Sequence, residues 1–407
     1  MRFRTAIIWN GLSQFGQSGI TLLSTIILAR MLTPDDFGLV GIVGIFIAFS
    51  QMMVDLEMGG ALLRKKIVTR MDYSTLFWYN LGVSILIYGV LFLTAPYVAR
   101  FYSRPELTGV IRLLSVCIVI HSFRVVQFII LLRELKFKIS AIINIVSGLL
   151  SLGTAIFLAY KGYGYWALVW QQIVMSGMLA VLMTCYNKFI PVLSISKESF
   201  LYQFRFGIGL LGGNMVITIA NNISTNIIAK IASLQFTGYY TQTTRLTNFF
   251  QTSISSIFNQ SIYPLMSKFE TLREVKGMYR NLLLVMTLGM ALIIMMIELS
   301  SSWLIQIVLG ESWMPVVPIF QILLLSVLPA CLQVVCRNVM KTLGTTGKVM
   351  VIDSAISLLL LLALFISAFI STYSILWAIV SVQFIGAIIW IAVAEWQFMR
   401  MKSLRID

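Results

Sequence analysis

The sequence predicts an all-α polytopic membrane protein, with about 12 transmembrane helices in two parallel six-helix repeats around a central cavity. Three observations predict it. Of 407 residues, 59% are hydrophobic and only 11% charged, where a soluble chain carries roughly 25% charged residues. The apolar residues fall in blocks long enough to cross a bilayer, which needs about 20 residues each. Two blocks in the first half recur, in order, in the second.

The predicted spans are 8–30, 37–61, 75–99, 109–131, 140–160, 164–187, 204–229, 236–260, 281–309, 317–341, 349–370 and 374–397. The N-terminal MRFRTAIIW runs straight into the first span and lacks a small-residue cleavage site, so it is expected to be retained. Span 5 contains Gly148 and Gly153 but stays apolar throughout. The longest connection, near 188–203, contains Pro191 and SISKES. The expected organisation is an N-terminal lobe over 1–190, a linker over 191–203, and a C-terminal lobe with a short cytoplasmic tail over 204–407.

A net charge of +15 in a soluble chain would suggest nucleic acid as partner. Here the charge is unevenly placed. The N-terminus, the loops after even-numbered spans and the C-terminus carry 21 Lys and Arg, and the opposite ends carry 6 (Arg30, Arg100, Arg104, Arg112, Lys161 and Lys230). By the positive-inside rule both termini are cytoplasmic and the number of spans is even. No nucleic-acid partner is expected. The cysteines Cys117, Cys185, Cys331 and Cys336 lie in apolar stretches, and His121 is the sole histidine. Neither a metal site nor a disulfide framework is expected, and no cofactor.

The internal repeat places STIILARMLTPDDFG at 24–38 over STNIIAKIASLQFTG at 224–238. Ser24, Thr25, Ile27, Ala29 and Gly38 are matched 200 residues later, and Arg30 by Lys230. WALVWQQ at 166–172 lies over WAIVSVQ at 377–383. Six spans return the chain to its starting side, so the repeats are parallel, an arrangement in which the substrate site lies between halves near the midplane.

Polar residues line three spans. Asn10, Gln14, Gln17, Thr21 and Ser24 share one face of span 1, and Asn214, Thr218, Asn221 and Thr225 one face of span 7. Span 8 carries Thr241, Gln242, Thr243, Thr244, Arg245, Asn248, Gln251 and Thr252. Polar groups facing hydrocarbon are costly, so these face protein or water. Interhelical hydrogen bonds and a hydrated cavity both meet that requirement. Arg124, Arg245 and Arg337 lie within spans, where an arginine costs about 2.5–3.5 kcal/mol at the helix centre; snorkelling and cavity lining are the alternatives. Asp55, Glu57, Asp353 and Glu395 sit near cytoplasmic span ends, where solvation or ion pairing accounts for them. The deep charges are cationic and suit an anionic cargo, since guanidinium groups bind phosphate oxygens in bidentate geometry. The candidate substrate-binding residues are Arg245, Arg124, Arg30, Lys230, Gln14, Gln17, Asn214, Asn221, Gln242 and Asn248. No catalytic residue is expected, because no acid/base or nucleophilic groups converge.

The stretches ILARMLTPDDFGLVGI (27–42), VDLEMGGALLRKK (54–66), LLRELKFK (131–138), GYGYWALV (162–169), FRFGIGLLGGN (204–214), LGESWMPVVPIFQIL (309–323) and KTLGTTGK (341–348) together resemble the polysaccharide flippase family. That family shares a superfamily with multidrug and toxic-compound extrusion transporters and peptidoglycan-precursor flippases. The resemblance covers nearly the whole chain. It implies a non-enzymatic transporter in the bacterial cytoplasmic (inner) membrane. It would flip undecaprenyl-diphosphate-linked oligosaccharide for lipopolysaccharide, exopolysaccharide or capsule synthesis by alternating access. A polysaccharide polymerase and chain-length proteins are the implied partners. Arg30 resembles the arginine closing span 1, Lys230 a basic residue closing span 7, and Arg245, in TTRL, a similar span-8 arginine. Ser224 and Glu57 depart from the pattern, standing where relatives often carry an acid and a glycine. Longer relatives continue for two spans beyond the point where this sequence reaches SLRID. The alternative is a cation-coupled multidrug or metabolite exporter, which favours a buried carboxylate in the cavity.

Overall fold

The computed structural model describes residues 2–56, 58–257, 266, 269 and 271–403, with the side chains of 2–8, 10, 12, 15, 210, 254–257, 346, 402 and 403 left aside. The side chain of Asn10, all of Glu57, and the charges of Arg2, Arg4, Lys268, Lys402 and Arg405 lie outside the described residues. Among these residues the regular structure is helical, with no strand.

A helical segment occupies each predicted span. They are α1 (Arg2–Ala29), α2 (Pro34–Asp55) with the short α3 (Met58–Arg64), α4 (Arg70–Phe101), α5 (Leu107–Leu114) continued by α6 (Val116–Arg133), α7 (Phe137–Tyr160), α8 (Trp166–Asn187), α9 (Lys197–Ile231), α10 (Leu234–Ile257), α11 (Leu272–Val308), α12 (Val316–Leu324) continued by α13 (Val327–Thr342), α14 (Thr346–Ala368) and α15 (Thr372–Ser403). Among the described residues nine are long and apolar enough to cross a bilayer, and a tenth is the pair Lys197–Gly209 and Leu211–Ile231, bent by 51°. Among the described residues α10 does not reach that apolarity, and the described end of α1, Gly16–Ala29, is a shorter apolar helix. These two and the bent α9 are the three helices on which the sequence places polar residues.

Local chemistry sets the helix starts. Thr33 caps α2 and Thr69 caps α4, each in a capping box with the Asp three residues on, which satisfies two otherwise orphaned donors. Thr271 and Glu274 do the same for α11. Span 2 is shorter than its apolar stretch suggests. Leu56 turns left-handed (φ 39°) and closes α2 at Asp55, and Met58–Arg64 forms a separate short helix that packs on α9 and α6. With 32 residues α4 is about 48 Å long at 1.5 Å per residue, so its ends project beyond a hydrocarbon core of about 30 Å.

The chain forms two compact units, Met1–Gly238 and Tyr239–Asp407. In the first unit α1 packs along α7 and α7 along α8. A Cβ on Gly16 would touch Ile145, and one on Gly148 would touch Ile20; the missing side chains let α1 and α7 approach closely. The stretch 188–196 is not a free linker. Ile190 O accepts from Arg70, Trp78 Nε1 donates to Val192 O, and Ser196 N donates to Thr75 Oγ1. Asp72 then ties the start of α9 to α4, accepting from Lys65 Nζ at 2.8 Å and Ser199 Oγ at 2.7 Å. Burial raises the cost of that carboxylate, and its charge-assisted bonds offset it. Residues 197–203, expected as linker, are the first turns of α9. The first unit therefore extends past the expected lobe boundary, because the start of α9 is fastened to α4 and its length packs on α2.

In the second unit Tyr279, Val335, Val339, Trp390 and Phe398 form the core between α11, α13 and α15. Arg337 Nε donates to Asp353 Oδ1 at 2.9 Å, Arg337 Nη2 donates to Gln333 Oε1 at 3.0 Å, and Trp390 Nε1 donates to the same Asp353 oxygen at 3.2 Å. Arg337 is thus held in an internal ion pair, an arrangement that neither snorkelling nor cavity lining described. Lys276 and Arg280 pair with Glu395.

Two positions mirror the sequence repeat. Gly38 and Gly238 are each the fifth residue of their helix. A Cβ on Gly38 would lie 2.3 Å from Leu234 O, and one on Gly238 would lie 1.8 Å from Pro34 O. Residue 38 thus faces 234 while 238 faces 34. Separately, Ser115 interrupts α5/α6 and Ser326 interrupts α12/α13. The hydroxyl of each bonds a carbonyl of its preceding turn, Ile111 O and Leu323 O. Both serines sit in the sequence LLSV, at the same separation as Trp166 and Trp377.

Candidate functional site

The polar residues of α1 divide into two sets. Ser24 is buried and accepts from Gln171 Nε2 at 2.6 Å, which is interhelical glue. Gln14, Gln17 and Thr21 are exposed and lie within one narrow arc, at i, i+3 and i+7. On α9, Asn226 is buried and donates to Ile42 O and Tyr102 Oη, and Asn222 donates to Thr218 O in its own helix. Asn221 is exposed, Asn214 half-buried.

The threonines of α10 are largely satisfied by their own helix: Thr243, Thr244, Thr247 and Thr252 donate to carbonyls three or four residues back. Such back-bonding lets a threonine sit in an apolar setting without a cavity. Gln242 is fully buried. Arg245 is half-buried and Asn248 exposed, one turn apart.

The cations of the first unit occupy two levels. Lys230 Nζ donates to Phe101 O at 2.6 Å and sits 4.0 Å from the Phe101 ring centroid. With Arg104, Tyr102, Ser103 and Ile42 it lines a cavity of about 160 Å³. Arg124 belongs to a different level. Its Nη2 lies 3.0 Å from His121 Nδ1, and His121 Nε2 lies 3.0 and 3.1 Å from the two Asp55 oxygens. Ile42 and Asp55 are thirteen residues apart on α2, a rise of about 20 Å. Lys230 thus lies beside Ile42 in the first half of α2, and Arg124 is linked through His121 to Asp55 at its last residue. Arg30 is exposed in the turn that follows α1.

The His121 relay was not read from sequence, although its signal was there: the chain's sole histidine stands three residues from an arginine on the same helix face. Its link to Asp55 on another helix was not. Among the described residues no group of three or more His, Cys, Asp and Glu could hold a metal ion.

Comparison with known proteins decides the family. A family model described as "Polysaccharide biosynthesis protein" matches residues 27–318, well over half of the chain. The chain belongs to this polysaccharide biosynthesis protein family. It is 25% identical over 361 residues to the teichuronic acid biosynthesis protein TuaB of Bacillus subtilis, covering 88% of this chain and 74% of that protein. It is 26% identical over 242 residues to the succinoglycan biosynthesis transport protein ExoT of Rhizobium meliloti, covering 58% and 48%. It is 22% identical to the lipopolysaccharide biosynthesis protein WzxC of Escherichia coli, covering 77% and 65%. The chain thus spans about half the length of ExoT and under two thirds that of WzxC.

Two solved structures share the fold of this polysaccharide biosynthesis protein. The lipid II flippase MurJ in an inward closed conformation has a TM-score of 0.77 at 11% identity, covering 95% of this chain and 87% of that one. An inward-facing MATE-family multidrug transporter has 0.67 at 12%, covering 98% and 96%. The all-helical multi-pass architecture expected from composition is the architecture of a membrane transporter fold.

Proposed function

We propose that the chain moves a lipid-linked oligosaccharide, carried on undecaprenyl diphosphate, from the cytoplasmic to the outer leaflet of the bacterial inner membrane. The observation that carries this reading is the placement of polar side chains. The helices that carry the polar faces, α1, α9 and α10, present Gln14 and Gln17, Asn221, and Arg245 with Asn248 as exposed or half-buried groups. Amides offer both donors and an acceptor to sugar hydroxyls, and guanidinium suits a diphosphate. Many modest contacts allow release, which one tight clamp would not. The names of the similar proteins TuaB, ExoT and WzxC, all of polysaccharide or teichuronic acid pathways, support a saccharide cargo.

In this reading the sequence repeats 1–190 and 204–407 are lobes that rock and expose the cargo site to each side alternately, with cytoplasmic termini. The matching places of Gly38 and Gly238 in their helices and the paired breaks at Ser115 and Ser326 support the repeat. The test is complementation of a flippase-deleted host carrying the matching glycan pathway. Arg245→Ala abolishes glycan export and leaves lipid-linked precursor in the inner leaflet, with the protein still in the membrane. Normal export at matched expression removes Arg245 from the mechanism, and export of cationic drugs instead of glycan favours the extrusion-type alternative.

A further inference from the structure

We propose that Asp55, His121 and Arg124 form a site that binds a proton and a phosphate-type anion together: protonation of His121 releases Arg124 to the anion. The inference rests on the cargo reading above and adds to it the link to protons.

Geometry fixes the hydrogen positions. An arginine cannot give up its charge and has only N–H donors. Arg124 Nη2 therefore donates across the 3.0 Å to His121 Nδ1, and Nδ1 carries no proton. The ring's proton is on Nε2 and points at the Asp55 carboxylate, 3.0 Å away. The trio is one carboxylate, one neutral imidazole and one guanidinium, with no net charge. A second proton can enter the ring only at Nδ1. Once there, two donors face each other and the Arg124 bond breaks, while the imidazolium keeps its bond to Asp55. The trio then has a net charge of +1, and the Nη2 donor that Arg124 had spent on the ring is available to an anion.

The surroundings favour this behaviour. The His121 side chain is 9% exposed and that of Asp55 41%, so the carboxylate is the open end of the pair and the ring the enclosed one. α8, packed on α6, carries no Asp, Glu, Lys, Arg or His. The charged groups of the other packed elements are engaged elsewhere or stand at distant ends. On α3 Arg64 lies over the Phe206 ring. On α4 Arg70 is bonded to Ile190 O and Asp72 to Lys65, with Arg100 at the far end. On α5 Arg112 lies over Phe92, and on α7 Lys138 lies over Trp9. Asp35 and Asp36 begin α2 and Asp55 ends it. The remaining ionisable groups of these elements are tyrosines and cysteines, chiefly neutral near pH 7. Among the described residues Asp55 is the charge from a neighbouring element that meets the ring. Histidine is the side chain whose charge ordinarily changes between about pH 5 and 8, and the charge pattern places Asp55 at the cytoplasmic end of α2, where a lipid-linked cargo is loaded.

Linkage makes the two ligands reciprocal: an anion that takes the released Arg124 favours the protonated ring, and the proton favours the anion. Because His121 is the sole histidine, ¹⁵N-histidine labelling reports this site alone. The full chain in lipid nanodiscs is titrated by NMR, with inorganic diphosphate as probe. At alkaline pH the ring is the Nε2–H tautomer. At a fixed pH where both forms are populated, saturating diphosphate raises the ratio of doubly protonated to neutral His121 at least about fivefold. Arg124→Gln abolishes that response, and Arg124→Lys, which keeps a cation, retains part of it. An Nδ1–H tautomer at alkaline pH, or a ratio in the wild-type chain that diphosphate leaves unchanged, overturns the inference. Neither outcome touches the cargo reading, which falls only with glycan export itself.

Discussion

Replacing Gly238 by alanine tests the close approach of α2 and α10 directly. An added Cβ would lie 1.8 Å from Pro34 O, 2.6 Å from Pro34 C and 3.1 Å from Pro34 Cα. All three are backbone atoms, so no rotamer change relieves the clash. A carbon meets a carbonyl oxygen comfortably near 3.3 Å, so the helices must part by about 1.5 Å at this point. Pro34 cannot give easily, because it opens α2 directly after Thr33, whose capping box with Asp36 is made of bonds of 2.8 to 3.4 Å. Overpacking of this kind costs about 1–3 kcal/mol and sometimes more. Against it stands the gain of about 1 kcal/mol from alanine over glycine inside a helix. The net expectation for Gly238→Ala is a loss of up to about 2 kcal/mol. Gly44→Ala, on the exposed side of α2 with nothing within 4 Å of its Cβ, keeps only the gain. The assay is the thermal midpoint of detergent-purified protein followed by size-exclusion, with export measured in the same strains. Gly238→Ala should lower the midpoint and impair export while Gly44→Ala holds or raises it. Equal midpoints for wild type and Gly238→Ala would show that α2 and α10 do not meet through these glycines.

Three further outcomes are expected. Arg245→Ala abolishes glycan export with protein still in the membrane, and Arg245→Lys measures how much of the role is point charge rather than the bidentate fork; accumulation of lipid-linked precursor is the readout. Arg337→Ala leaves Asp353 with only the Trp390 N–H and destabilises by about 1–3 kcal/mol, less than a fully buried pair because the two side chains are 31% and 20% exposed; the double change Arg337→Met with Asp353→Leu recovers much of the detergent thermal midpoint, and additive losses would refute the pairing. Reporter fusions after residues 70 and 275 read cytoplasmic and one at residue 162 reads external, and opposite signals at two of these sites refute the topology.

Segment positions were legible because a bilayer imposes one solution on an apolar run: each backbone donor must be paired within its own helix. The long apolar blocks therefore located the helices, and the polar residues of 14–21, 214–226 and 241–252 marked three helices with faces that lipid alone would not satisfy. The family resemblance was legible for a related reason, since its motifs cluster at span ends where local chemistry is constrained. What each polar side chain does was not legible. Ser24 and Asn226 are spent on Gln171, Ile42 and Tyr102, residues far away in sequence. The threonines of α10 are spent on their own helix, while Gln14 and Asn221 remain exposed. Periodicity gives a residue its face, but only packing decides what that face meets. The cations make the same point. Arg124 and Lys230 were both read from the sequence as helpers of Arg245, yet the packing of α6 and α9 on α2 sets them beside residues thirteen apart on α2, a rise of about 20 Å, and joins Arg124 to His121 and Asp55. That separation depends on which helices lie side by side, a long-range property that no local pattern encodes.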